Sequence, residues 1–293
     1  MPVYNGERFV AEALESILAQ TFGDFELVIC DNASTDATGD ICRDFAARDR
    51  RVRYYRQFEN IGAAGNYNDC FRRANGRYFK WAAHDDWIAP GFLDACLARL
   101  EADVSVAVAF TQMREVDAEG QTIRDYDAPI LWQGESPSSR IESLLCAPSE
   151  CTYIHRCVPI TGLMRAGMLR KTRLIGRFGH ADKVALVELA LLGDFAEVPE
   201  RLFFRRQHAG VSLTANATPK ALVRWFDPRN RTRFVTPRSR LFREYVHAVL
   251  RAQIGFAEKM ACGRSLARMF GRDWRIMGGE IRRSLWDAIA RRP

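Results

Sequence analysis

No apolar run in this sequence approaches the eighteen or so residues that span a bilayer. The N-terminus turns polar at Asn5, ahead of any apolar core that a secretory signal needs, so a cytoplasmic protein is expected. Cysteine occurs eight times but never as the Cys-x-x-Cys pair of structural zinc sites. The single cluster, Cys146, Cys151, His155 and Cys157, therefore does not read as zinc, and Cys30, Cys42, Cys70 and Cys96 read as small buried hydrophobes. The small, polar stretch from Asn60 to Asn66 looks like a phosphate-approaching loop, yet it matches neither Gly-x-Gly-x-x-Gly nor a P-loop. There is no internal repeat and no low-complexity tract.

A surplus of acid is missing too: the net charge is +7. It is unevenly placed. Residues 217–293 carry 18 Lys+Arg against 6 Asp+Glu, a net of +12, whereas residues 1–216 carry 25 against 30, a net of −5. A mildly acidic main body with a basic tail points to an anionic membrane surface or a partner rather than to nucleic acid. Trp225, Phe226, Trp274 and Trp286 are interleaved with that basic segment. Arg and aromatics together fit an interfacial helix and equally a solvated face above an ordinary core stripe.

Hydrophobic content of 47% is ample for a core. Pro2-Val3-Tyr4-Asn5-Gly6 reads as a strand end and turn, and Glu7 to Thr21 as a helix burying Phe9, Val10, Ala13, Leu14, Ile17 and Leu18. Strands follow at Phe25–Cys30, Val52–Arg56, Arg77–Ala82 and Val104–Phe110. Helices lie between them, one through Arg48, one opening near Asn66 and one over Phe92–Glu101. Strands alternating with helices of this length mean βαβ units and a mostly parallel sheet, an α/β fold. Beyond Val116 a hairpin turn is expected at Asp117–Gly120 and a loop over Asp125–Ser139. A helix is expected over His180–Leu192, with short strands at Phe195–Val198 and Leu202–Arg206 on either side of Pro199.

The chemistry concentrates where strands end. Phe79 to Ala83 is apolar apart from Lys80 and stops at His84-Asp85-Asp86. Carboxylates left unpaired there are costly if buried, and open α/β sheets bind ligands at that edge. Hard divalent cations take oxygen ligands and share them with phosphates, so the pair suits a metal–diphosphate. It also suits a helix N-cap, because Pro90 and Gly91 follow. The second strand ends in Asp31-Asn32-Ala33-Ser34-Thr35-Asp36. Ser34, Thr35 and Asp36 are N-cap types, but Asp31 sits too early to cap.

Taken together, Pro2-Val3-Tyr4-Asn5-Gly6, Leu18-Ala19-Gln20-Thr21-Phe22, Asp31 to Asp36, Asn60-x-Gly62 and His84-Asp85-Asp86 resemble, in order and spacing, the family 2 glycosyltransferases, inverting enzymes with a GT-A fold. The resemblance covers roughly residues 1–215. It implies a nucleotide-binding half over 1–115, an acceptor-binding half over 116–215 and a basic helical segment over 216–293. It also implies a uridine or thymidine diphosphate sugar as donor, a carbohydrate or lipid-linked acceptor, and a divalent metal, Mn²⁺ or Mg²⁺.

Carried over residue by residue, Pro2, Val3 and Tyr4 wall the nucleoside, Asp31 and Asn32 meet it, and Asn60, Gly62 and Asn66 belong to the same site. Asp85 faces the ribose, Asp86 the metal, Asp182 is the general base, and His208 with Ser212 closes over the diphosphate and metal. His180 is the rival base. The family often has two consecutive acids where this chain has Asp31-Asn32, and a Glu where it has Ala181. The family's first strand begins several residues ahead of the Pro-Val-Tyr-Asn match, so a natural start upstream of Met1 is expected. Two other readings are open. A sugar nucleotidyltransferase needs a longer Gly-rich, basic loop than Asn5-Gly6-Glu7-Arg8. A glycosyltransferase-like module that only binds a partner would have no need of the acidic set.

Overall fold

The computed structural model describes residues 1–126, 134–145, 157–211, 215–232 and 234–289. Cys146, Cys151, His155, Ser212 and residues 127–133 of the loop expected over Asp125–Ser139 lie outside these residues. The chain opens with β1 (Pro2–Val3), α1 (Val10–Leu18), β2 (Leu27–Asp31), α2 (Thr38–Arg48), β3 (Val52–Arg56) and α3 (Gly62–Arg73). The three strands form a parallel sheet in the order β1-β2-β3, with Val3 opposite Asp31 and Leu27 opposite Val52. Every residue of β2 is buried, as a central parallel strand requires.

A second, six-stranded sheet holds β4 (Tyr78–Phe79), β5 (Trp87–Ile88), β6 (Val106–Val116), β7 (Thr122–Tyr126), β8 (Leu163–Arg165) and β9 (Asp194–Arg206). Its order is β4-β8-β6-β9-β5, with β7 paired on β6. The α/β class holds. Parallel pairing, however, is confined to β1–β3 and to β6 with β9, while β4, β5, β7 and β8 pair antiparallel. The strand expected over Arg77–Ala82 shrinks to two residues. His84-Asp85-Asp86 is consequently a bend between β4 and β5 rather than the direct end of a long strand. The two strands expected around Pro199 are one continuous β9. Val198 pairs with Thr111 and Arg201 with Gln112, so Pro199 and Glu200 bulge out of the ladder, where a missing N–H costs nothing. The hairpin at Asp117–Gly120 forms as expected, closed by Gly120 N donating to Asp117 O at 3.2 Å.

The remaining helices are α4 (Phe92–Ala102), α5 (Pro137–Leu145), α6 (Ala166–Leu169), α7 (Ala181–Ala190), α8 (Pro219–Phe226), α9 (Pro237–Arg251) and α10 (Phe256–Ile289). No helix among the described residues is long and apolar enough to cross a membrane. The basic C-terminal segment is helical and shares a core with the sheet domain. Leu222, Phe226, Leu241, Tyr245, Cys262 and Met269 belong to the same buried cluster as Val28, Cys70, Phe79 and Leu186. Ion pairs run across the junction, with Arg173 on both Glu188 and Glu244 at 2.6 Å. Gly62 explains how α8 can approach so closely. Its φ is +81°, and a Cβ there would stand 2.5 Å from the Phe226 carbonyl oxygen and from Pro228.

Gly62→Ala is therefore expected to cost about 1–3 kcal/mol and to lower the urea midpoint, whereas Gly23→Ala, which faces open space, should not. Equal midpoints for the two variants would contradict this account of the junction.

Candidate active site

The edge of the first sheet is made of two loops that hold each other. Ser34 Oγ accepts from Asn5 N at 3.0 Å, Thr38 Oγ1 from Gly6 N at 2.8 Å, and Asn5 Oδ1 from Thr35 N at 2.8 Å. Asp36 accepts from Glu7 N at 3.2 Å and Thr38 N at 3.0 Å, and Glu7 returns a bond from Ala37 N at 2.9 Å. The residues that looked like helix caps thus serve mainly as cross-braces between the β1–α1 and β2–α2 loops. Gly6 also lets the His84 ring lie flush, since a Cβ there would meet His84 Cδ2 at 2.2 Å.

These loops form one wall of a cleft of about 660 Å³. Pro2, Val3, Tyr4, Asn32, Asn60, Asn66, Asp85, Asp86, Asp182 and His208 all line it. Two of the residues expected there do not. Asp31 is fully buried behind the wall, its carboxylate accepting from Tyr54 Oη at 2.7 Å, Arg56 Nη1 at 2.9 Å and Ser34 N at 2.8 Å. Gly62 serves the contact with α8 instead. Asn32 bridges Ile61 N and Asn60 Oδ1, both at 2.9 Å, fixing the loop ahead of α3. Asn66 Nδ2 donates to Cys30 O at 2.7 Å, and its buried Oδ1 has no hydrogen-bond partner among the described residues.

The opposite wall carries the acids. Asp85 Oδ2 lies 3.1 Å from His208 Nε2. Burial pushes the Asp85 carboxyl up, but the His208 bond and the charges of His84 and His208 more than offset it, and it sits below its ordinary value. Asp86 goes the other way. Burial first and the Asp85 charge second push it up to about 7, with the Arg206 N–H, Arg205 and Lys80 opposing. Asp182 stands in the first turn of α7, entered through His180 at a left-handed φ of +64°. Tyr67 lines the cleft together with all three acids, and its hydroxyl is pushed up by burial first and then by the Asp85 and Asp86 charges.

Several residues of this site gave no usable signal in the sequence. Tyr67 and Trp81 sit in apolar patterns and read as core, although Trp81 Nε1 donates to Tyr67 O at 2.9 Å beneath the cleft. Arg206 is 3% exposed, which a strand-end arginine does not advertise. Its N donates to Asp86 Oδ1 at 2.9 Å, its Nε to Asp85 O at 3.1 Å and its Nη1 to Ala118 O at 2.7 Å, and its Nη2 pairs with Glu12. Its guanidinium also lies over the Phe9 and Trp87 rings at 4.5 and 4.6 Å.

Among the described residues no group of three His, Cys, Asp or Glu closes on a point where a metal would sit. Magnesium-like cations are held by one or two carboxylates plus substrate phosphates. Asp86 meets that smaller requirement with His208 in the same cleft, and its carboxyl holds its proton up to about 7 through burial first and the Asp85 charge second, both of which a bound cation would offset.

Solved structures share this architecture. S. aureus TarS 1–349 in complex with UDP-GlcNAc matches with a TM-score of 0.65 at 18% identity, over 92% of this chain and 71% of that one. Mannosyltransferase PcManGT from Pyrobaculum calidifontis, in complex with GDP-Man and Mn²⁺, matches with 0.53 at 16% identity, over 99% and 86%. The fold is that of the GT-A glycosyltransferases. More narrowly, the chain belongs to glycosyl transferase family 2, whose model matches residues 1–172. Chondroitin synthase from Escherichia coli is 34% identical over 142 residues, 48% of this chain but 21% of that protein, so the chain spans well under half of this relative's length.

Asp86 binds its proton more tightly in the folded chain than an unfolded carboxyl of ordinary value 3.8 does. That contribution to stability is complete below about pH 4 and is lost as pH rises through about 7. Asp86→Asn, fixed in the neutral form, should melt several degrees above the parent at about pH 8 and level with it near pH 4. The same melting offset at both values would contradict the assignment.

Proposed function

We propose that this glycosyltransferase moves a sugar from a uridine or thymidine diphosphate sugar to an acceptor hydroxyl with inversion, in the synthesis of a bacterial-type polysaccharide or glycoconjugate. The observation that carries the reading is that Asp85, Asp86, Asp182 and His208 share one cleft with the Pro2–Tyr4 wall. That wall takes the nucleoside and Asp85 the ribose, and Asp86 and His208 are the residues that would hold Mn²⁺ or Mg²⁺. The ion supplies charge neutralisation for the leaving group.

Asp182 accepts the acceptor's hydroxyl proton as that oxygen bonds to the anomeric carbon. The bond from carbon to diphosphate oxygen breaks with its electron pair going to the nucleoside diphosphate. One base and one departing anion make a single displacement. Hydrolysis of an existing glycoside needs two carboxylates flanking the bond, and adjacent Asp85 and Asp86 cannot flank anything.

Asp182→Asn is expected to keep UDP binding in the presence of Mn²⁺, with EDTA weakening it, and to lower turnover on the order of a hundredfold or more. His180→Ala should cost far less. Near-parental turnover in the Asn variant beside a dead His180→Ala would transfer the role to His180, and equal UDP affinity with Mn²⁺ and EDTA would remove the metal.

We further propose that α10 rests on an anionic bilayer. Phe256, Met260, Phe270, Trp274, Ile281, Leu285 and Ile289 are all exposed and recur at helical spacing along one stripe, and Arg264, Arg275 and Arg282 share its flank. Each arginine near an anionic surface adds about 1 kcal/mol. Co-sedimentation with vesicles should rise with phosphatidylserine content, fall with salt, and weaken in Trp274→Ser. Indifference to lipid charge would reject the proposal.

A further inference from the structure

A second groove of about 550 Å³ opens beside the cleft. It shares His180, Asn216 and Leu222 with the cleft, so the two cavities meet next to Asp182. Most of the new groove is built by residues beyond 216, from α8, the stretch leading into α9, α9 itself and Ile281 of α10. Three arginines line it, Arg177, Arg240 and Arg243, and among the described residues no aspartate or glutamate does.

Among the described residues the acid that pairs with these arginines is Glu244, and one carboxylate does not cancel three guanidinium charges. Glu244 lies beside the groove and is already shared by Arg173 at 2.6 Å, Arg240 at 2.8 Å and Arg243 at 3.8 Å. Glu280 is turned onto the backbone N–H groups of Arg238 and Ser239 at 3.0 and 3.2 Å. Arg177 is exposed and makes no ion pair among the described residues. The Arg243 side chain is 56% exposed. Apolar surface lines the groove with them: Phe178, one ring face of which the Arg240 guanidinium covers at 4.8 Å, and Phe234, 44% exposed.

Cationic forks alternating with flat apolar faces suit one ligand class well. Guanidinium groups bind carboxylate or phosphate bidentately, and ring faces carry the apolar side of a sugar. We infer that this groove binds the acceptor, and that the acceptor is an anionic saccharide chain bearing carboxylate or phosphate groups, its terminal hydroxyl delivered past His180 to Asp182. The inference rests on the donor and base assignments of the previous subsection. It adds that the C-terminal segment chooses the acceptor by charge.

The test is binding by the full chain, with Mn²⁺ and UDP present, of three probes of equal length: a hexuronate-containing tetrasaccharide, a glycerol-phosphate tetramer and neutral cellotetraose. One of the two anionic probes should bind at least about tenfold more tightly than cellotetraose, a difference of about 1.4 kcal/mol, and which one binds identifies the anion. Arg177→Gln combined with Arg243→Gln, both at exposed positions, should abolish that preference while leaving UDP affinity unchanged, which also shows that the variant is folded. Equal binding of the neutral probe, an unchanged preference in the double variant, or no binding of either anionic probe would overturn the inference. Loss of UDP binding in the parent chain with the anion preference intact would instead overturn the donor reading and leave the groove standing.

Discussion

Two neighbouring carboxylates repel each other, and a half-buried turn is a poor place to keep them. The site is organised around holding Asp85 and Asp86 there regardless. Arg206 does this from beneath, taking the Asp85 carbonyl and the Asp86 carboxylate at once while its own charge is shared with Glu12 and two aromatic rings. His208 takes the other side of Asp85. The two acids therefore split into unlike roles, one held as an anion and one retaining its proton near neutrality. A buried network of this kind stands only when nearly every member is satisfied.

Much of this was legible in the sequence for a simple reason. The short polar runs at Asp31–Asp36 and His84–Asp86 interrupt apolar strands, and interruptions of that kind are visible without a structure. The first helix was legible from its apolar spacing, and those through Arg48 and from Phe92 from the helix-opening residues ahead of them, Ser34 to Asp36 and Pro90-Gly91. What was not legible has physical causes as well. Strand direction is not encoded in an apolar run, so the antiparallel pairing of Tyr78–Phe79 with β8 could not be read. Asp31 carries the same side chain whether it faces a ligand or a buried Tyr54–Arg56 pair. Arg206 is a common residue type whose burial is decided by partners distant in sequence, Glu12, Asp85 and Ala118, and Tyr67 lies against Trp81, fourteen residues further on.

The C-terminal helices show how far a compositional boundary can differ from a structural one. The charge balance changes sign near residue 217, yet the apolar positions beyond it continue the core that β2 and α3 begin. The segment contributes Leu222 to the place where the two cavities meet and Phe226 to the first cleft. Its arginines are then divided among three tasks. Some tie the junction, as Arg251 does to Glu188 at 3.2 Å. Some line the second groove, and some flank the exposed stripe of α10.

The reciprocal bonds between the β1–α1 and β2–α2 loops have a consequence for how such a protein can change over time. Asn5 both donates to Ser34 and accepts from Thr35, and Glu7 both donates to Asp36 and accepts from Ala37. The bond from Gly6 N to Thr38 Oγ1 is buried, so replacing Thr38 by Val leaves the Gly6 N–H without its acceptor at a cost of about 1–3 kcal/mol, and because that donor is backbone no replacement at position 6 restores it. The bonds that Glu7 shares with Asp36 and Ala37, and that Asn5 takes from Thr35, lie toward solvent, where water stands in for a lost partner. The wall is thus held to its present residue at Thr38 and free to drift along its exposed rim.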